Sequence, residues 1–124
     1  MNAAFGPAGR PDSFETMGYK KTEQMPEYLQ KFGLDAFEYQ FGRGVRYTEG
    51  TVRAFGEKAA AAGIRLSVHS PYYISLSSVE EEKRENSIRY LEESAGAARL
   101  MGADRIVVHT GSCGKISREE GMAL

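Results

Sequence analysis

The chain has 124 residues, 41% hydrophobic and 10% aromatic, which is material for one modest buried core. Sixteen basic residues against seventeen acidic ones leave a net charge of -1, so no whole-molecule field draws it to nucleic acid or an anionic membrane, and any such binding must come from a local patch. The single cysteine, Cys113, excludes an internal disulfide framework, and no apolar run approaches the roughly 20 residues of a membrane span; a reducing, cytoplasmic setting without a membrane partner is the expectation.

Read in chain order, the first element is a short strand at Asn2 to Phe5, followed by the loop Gly6-Pro7-Ala8-Gly9. Met25, Leu29 and Phe32 then recur at helical spacing, with Thr22 as a cap, Pro26 tolerated in the opening turn and Gly33 as the stop. A strand follows over Leu34 to Tyr39. The second helix carries Val52, Phe55, Ala59 and Ala62 on one stripe, is capped by Thr48 and ends at Gly63, before a strand from Ile64 to His69. The third helix places Ile88, Leu91, Ala95 and Ala98 on its apolar stripe, with Ser78 and Glu81 as a capping box and Gly102 as the stop, and the strand Ala103 to His109 comes next. A fourth helix opens at Ser117, with Glu120 as a second capping box.

Strands that alternate with helices form a parallel sheet, because a parallel connection needs a helix-length return. The strand pattern distinguishes a closed barrel from an open, doubly wound sheet. If His69 points inward, so do Ser67 and Arg65, while Leu66 and Val68 face the helices; His109, Val107 and Arg105 repeat that register, and Ala36, Glu38 and Gln40 share it. The expectation is therefore an α/β fold, the N-terminal half of a (β/α)8 TIM barrel with about four βα units and parallel strands. Residues 1–124 would form one partial barrel domain truncated at its C-terminus, with the remaining half of the barrel as its partner. An open half-barrel of this kind would leave two unpaired strand edges and an uncovered apolar interior, and should self-associate.

Both histidines end a strand, and the C-terminal ends of barrel strands carry the active site in this architecture. His69 and His109 on neighbouring strands in matching register can place imidazole nitrogens on one metal or on two adjacent ones; each alone also reads as a core histidine bonded to backbone. Glu38 at the corresponding rim reads as a metal ligand, a general base or a group that orients a ligating histidine, and otherwise as an acid paired with Arg43 or Arg46. Arg43 and Arg46 lie in a loop where they can meet a phosphate, or remain solvated. Tyr72 and Tyr73 can stack on a sugar or base, or pack as a lid on the rim. Ser112, in Thr110-Gly111-Ser112, offers a hydroxyl and backbone donors to an anion.

The segments Val68-His69-Ser70-Pro71-Tyr72-Tyr73-Ile74-Ser75-Leu76 and Val107-Val108-His109-Thr110-Gly111-Ser112 resemble the third- and fourth-strand motifs of the endonuclease IV family, within the wider xylose isomerase-like barrels. The resemblance spans about Gly33 to Ser112. It implies a zinc-dependent hydrolase that cuts the DNA backbone 5′ to abasic sites, with His69 and His109 at zinc-ligand positions and Tyr72 in the loop that pushes into DNA. Two departures accompany it. Phe5-Gly6-Pro7-Ala8-Gly9 has no histidine where the family's first strand brings one, and Glu38 is more like the sugar isomerases and epimerases of the wider group. The expectations are thus a metal-dependent phosphodiesterase acting on DNA with abasic sites and inactive as these residues alone. The alternatives are a divalent-metal sugar isomerase or epimerase on a small sugar-like substrate, and a non-catalytic binding barrel.

Overall fold

The structure, a computed structural model, describes residues 2–124. Strands β1 (Ala36–Gln40), β2 (Arg65–His69) and β3 (Ile106–Val107) form one parallel sheet in the order β1-β2-β3. Helices α1 (Asp12–Thr16), α2 (Met25–Lys31), α3 (Glu49–Ala61), α4 (Glu81–Met101) and α5 (Arg118–Ala123) complete the chain, with a 3-10 turn at Thr22–Gln24 leading into α2. The stops behave as read: Gly33, Gly63 and Gly102 take φ of 65, 71 and 72°, left-handed values that end a helix without a Cβ penalty.

One hydrophobic cluster joins the helix-facing sheet residues Phe37, Leu66 and Val68 to Val52, Phe55 and Ala59 of α3, Ala97, Ala98 and Met101 of α4, and Met25, Tyr28 and Leu29 of α2. That core covers only one face of the sheet. Sequential strand order with a one-sided core is the arrangement of a barrel segment, whereas a doubly wound sheet buries both faces.

Several expectations need correction. Asn2 to Phe5 is not a strand. The segment beside β1 is Phe5 to Gly9, whose carbonyls at Phe5 and Pro7 accept from Asp35, Ala36 and Glu38, with one parallel bridge at Ala8–Glu38. The proline withholds one donor and shortens the pairing. Helix α1 has no counterpart among the elements read from the sequence; Pro11 opens it, and Phe14 buries itself in an aromatic cluster with Tyr19 and Tyr28 at ring distances of 5.1 and 5.3 Å. Thr22 does not cap α2, because its hydroxyl accepts from Arg10 Nη2 at 2.6 Å. Thr48 does cap α3 through Thr51 N, and Ser117 with Glu120 forms its capping box.

On α4 the expected stripe is displaced. Ile88 and Ala95 are exposed, and the buried positions are Ser87, Ser94, Ala97, Ala98 and Met101. Ser87 and Ser94 return their hydroxyls to the Lys83 and Tyr90 carbonyls at 2.7 Å each, which hides their polarity and lets small side chains face the core. The Ser78–Glu81 box does not form: the helix begins at Glu81 after Glu80, and Ser78 Oγ accepts from Glu80 N instead. Nor is the barrel-facing surface apolar. It carries Ala36, Glu38, Gln40, Arg65, Ser67, His69, Arg105 and Val107, a mostly polar set.

Candidate metal centre

The rim is built by backbone bonds that tie three strand ends together. Phe41 N donates to the His69 carbonyl at 3.1 Å, and Ser70 N donates to the Val107 carbonyl at 3.0 Å. Val68, fully buried, anchors β2 on the helix side, which turns the next residue, His69, to the interior. Beyond β2 and β3 the two loops clasp each other: Leu76 N donates to the Thr110 carbonyl at 3.0 Å and Ser77 Oγ to the Ser112 carbonyl at 3.1 Å.

That clasp brings His109, which follows β3 rather than ending it, over His69. The imidazole centroids stand 5.0 Å apart with planes tilted by 41°. His69 Nδ1 lies 2.7 Å from the Ser70 carbonyl, and since a carbonyl can only accept, the proton sits on Nδ1 and the Nε2 lone pair is left for another partner. Two imidazoles sharing a tetrahedral ion, with metal–nitrogen bonds of about 2.0–2.1 Å, hold their ring centres about 5 Å apart. The donor type, the tautomer of His69 and the ring separation all fit a divalent ion. Among the described residues, no group of three or more His, Cys, Asp or Glu side chains could hold a metal ion, so these two rings are a partial donor set.

The other expected site residues divide. Glu38 is not at the rim: its register partner is Ser67, whereas Gln40 pairs with His69, so Glu38 lies one layer deeper. There it lines an open cleft of about 600 Å³ together with Ser67, Arg65, Asp104 and Arg105. No ion pair joins Glu38 to Arg43 or Arg46 among the described residues; the ion pairs in this region are those of Asp104, with Arg105 Nε at 2.8 Å and Arg65 Nη2 at 3.1 Å. These guanidinium hydrogen bonds, Arg105 first, hold the Asp104 carboxyl down to about 2. No local sequence pattern marks this triad, although Arg65 and Arg105 share the inward parity.

Arg43 and Arg46 lie in the β1–α3 loop, both exposed, with Arg46 close enough to Tyr73 to act on its phenol. Tyr73 packs edge-on against Tyr90 of α4 at 5.2 Å and against Tyr72 at 5.5 Å, and its hydroxyl would lie 3.3 Å from a Cβ at Gly44. Its phenol titrates above the ordinary range, chiefly through burial, with Tyr90 and Tyr72 adding and Arg46 opposing. Tyr73 is therefore a bracket between loops. Tyr72, 71% exposed, is the free aromatic surface beside it. Ser112 is exposed next to His109's loop, and its carbonyl is committed to Ser77.

A family profile described as the xylose isomerase-like TIM barrel matches residues 26–124, and the chain belongs to that family. Among its relatives, the uncharacterized protein MJ0133 of Methanocaldococcus jannaschii is 36% identical over 115 residues, 93% of this chain and 39% of that protein. Probable endonuclease 4 of Streptomyces coelicolor is 39% identical over 71 residues, 57% of this chain and 24% of that protein. Of solved structures, endonuclease IV from Thermus thermophilus superposes with a TM-score of 0.66 at 27% identity, over 86% of this chain and 40% of that one. A D-psicose 3-epimerase superposes at 0.68 with 17% identity, over 84% of this chain and 39% of that one, a likeness of fold alone. The chain thus spans well under half the length of each of these relatives, and its strands are those of a partial barrel. No helix is long and apolar enough to cross a membrane.

Proposed function

We propose that this chain supplies the first part of a metal-dependent phosphodiesterase of the endonuclease IV type, acting on DNA at abasic sites. The observation that carries the reading is the pair of imidazoles 5.0 Å apart at the C-terminal rim, one with its tautomer set for ligation through Nε2. His69 and His109 would hold zinc or another divalent ion. When bound, such an ion supplies Lewis-acid chemistry, favouring ionisation of water at neutral pH and offsetting charge that develops on phosphoryl oxygens. Arg43 and Arg46 offer guanidinium forks to backbone phosphates, Tyr72 presents an aromatic face to an unstacked sugar or base, and the Ser112 hydroxyl stands ready to donate to an anion. These contacts position DNA, and Arg43 and Arg46 supply local positive charge there without a strongly basic protein.

The test has two arms. Binding of Co2+, followed by its visible absorption, should weaken at least tenfold in His69→Ala and in His109→Ala, and incision of an abasic duplex should appear only in a protein that carries these residues within a closed barrel. The 124 residues alone are expected to be inactive, since two imidazoles fall short of the three ligands of a catalytic zinc. Unchanged Co2+ affinity in both variants would refute the reading. A sugar isomerase or epimerase is the second reading, favoured by the inward carboxylate of Glu38 in the cleft. Turnover of a sugar panel by the closed barrel, with abasic DNA left intact, would establish it in place of the first.

A further inference from the structure

The layer of the barrel interior that holds His69 contains one more polar side chain from β1, and it is not the carboxylate. Gln40 is the register partner of His69 and shares its inward parity, and parallel strands stand roughly 4.8 Å apart. On its other side lies Gly9, where a Cβ would come within 2.7 Å of Gln40 Oε1, so the carboxamide rests against bare backbone that only a glycine leaves open. The carboxamides of Gln24 and Gln30 are hydrogen-bonded within the chain; among the described residues that of Gln40 is not, and the residue is exposed. A carboxamide with unused donors and an unused acceptor, on the strand next to His69, is free to meet a ligand.

We propose that Gln40 is the substrate-contacting residue of β1, donating to a phosphoryl oxygen or accepting from a sugar hydroxyl at the rim. The inference rests on the metal-site reading above and deepens it. A carboxamide neither gains nor loses a proton near neutral pH, so at this layer β1 orients substrate without moving a proton. Hydrolysis at a phosphate, where other groups carry the chemistry, suits that contact better than a proton transfer by a carboxylate from the same strand.

Deoxyribose 5-phosphate, which carries both the hydroxyls and the phosphate of an abasic site, is the probe. Titrated into the Zn2+-supplemented chain, it should shift the Gln40 side-chain NH2 resonances in a 15N correlation spectrum. Gln40→Ala should raise its dissociation constant about three- to tenfold, the loss of one hydrogen bond, and leave Zn2+ affinity within about twofold. Gln30→Ala, which removes a carboxamide of α2 bonded to the Ala62 carbonyl, should leave both constants unchanged. Gln40 resonances that stay still while those of the His69 and His109 rings move would overturn the assignment, as would equal losses in Gln40→Ala and Gln30→Ala. If Zn2+ leaves the imidazole resonances unmoved, the metal-site reading itself fails and the proposal goes with it.

Discussion

Gly56, in the middle of α3, is a point of close approach between α3 and the end of α4, and replacing it with alanine isolates what that approach contributes. A Cβ there would lie 2.2 Å from the Met101 carbonyl oxygen and 2.7 and 2.8 Å from the Met101 carbonyl carbon and Cα, all backbone atoms that cannot swing aside. Restoring ordinary van der Waals separation requires the helices to part by about 1 Å, loosening Val52, Phe55 and Ala59 from Ala97, Ala98 and Met101. Overpacking of this kind costs about 1–3 kcal/mol or more, while alanine's better helix propensity returns up to ~1 kcal/mol. The net expectation for Gly56→Ala is a loss of about 1–2 kcal/mol, a fall of roughly 4–8 °C in melting temperature for a domain of this size. Gly50, at the open start of the same helix, has nothing within 4 Å of the corresponding Cβ, so Gly50→Ala should be neutral or stabilising. Thermal and urea unfolding followed by circular dichroism at about 222 nm, where helical amides absorb, would compare the two. A Gly56→Ala protein as stable as Gly50→Ala would refute the backbone-contact argument.

Three further outcomes can be checked. The Asp104 carboxyl, held to about 2 by Arg105 and Arg65, should titrate near that value by 13C NMR, where the ordinary midpoint is 3.8; because its folded pKa is depressed, whatever it contributes to stability is present above about pH 4 and is lost as pH falls toward 2, a dependence that Asp104→Asn should remove. Leu29→Ala, at a fully buried site, should cost about 2–5 kcal/mol, whereas Ile88→Ala on the exposed side of α4 should cost less than ~0.5 kcal/mol; equal losses on denaturation would contradict the observed face of α4. Arg43→Ala and Arg46→Ala should each reduce the slope of log affinity against log salt for abasic duplex by about 1, and an unchanged slope in both would remove that loop from the DNA contact.

Much of the architecture is legible from local chemistry. Glycine after an amphipathic run stops a helix wherever it occurs, so Gly33, Gly63 and Gly102 mark three boundaries, and the period-2 alternation in Arg65 to His69 separates a helix-facing Leu66 and Val68 from an inward Ser67 and His69. The same alternation puts Gln40 and Glu38 on one face without saying which stands beside His69, because parity repeats every two residues while register is set by pairing with another strand. The α4 stripe fails for a related reason: a serine that bonds back to its own helix is polar in composition and apolar in packing, and only the neighbouring helix reveals it.

By itself the sequence determined the order of elements from α2 onward, the inward side of the strands and the two histidines worth attention, since these follow from backbone conformation and side-chain period within a few residues. The tertiary structure decided the layer at which Glu38 and Gln40 stand, the Arg65–Asp104–Arg105 triad and the 5.0 Å approach of the imidazoles. Each of these depends on strand pairing, ion pairs or loop contacts that join segments distant in the chain, and such pairings are chosen by the packing of the whole sheet against its helices rather than by any local run of residues.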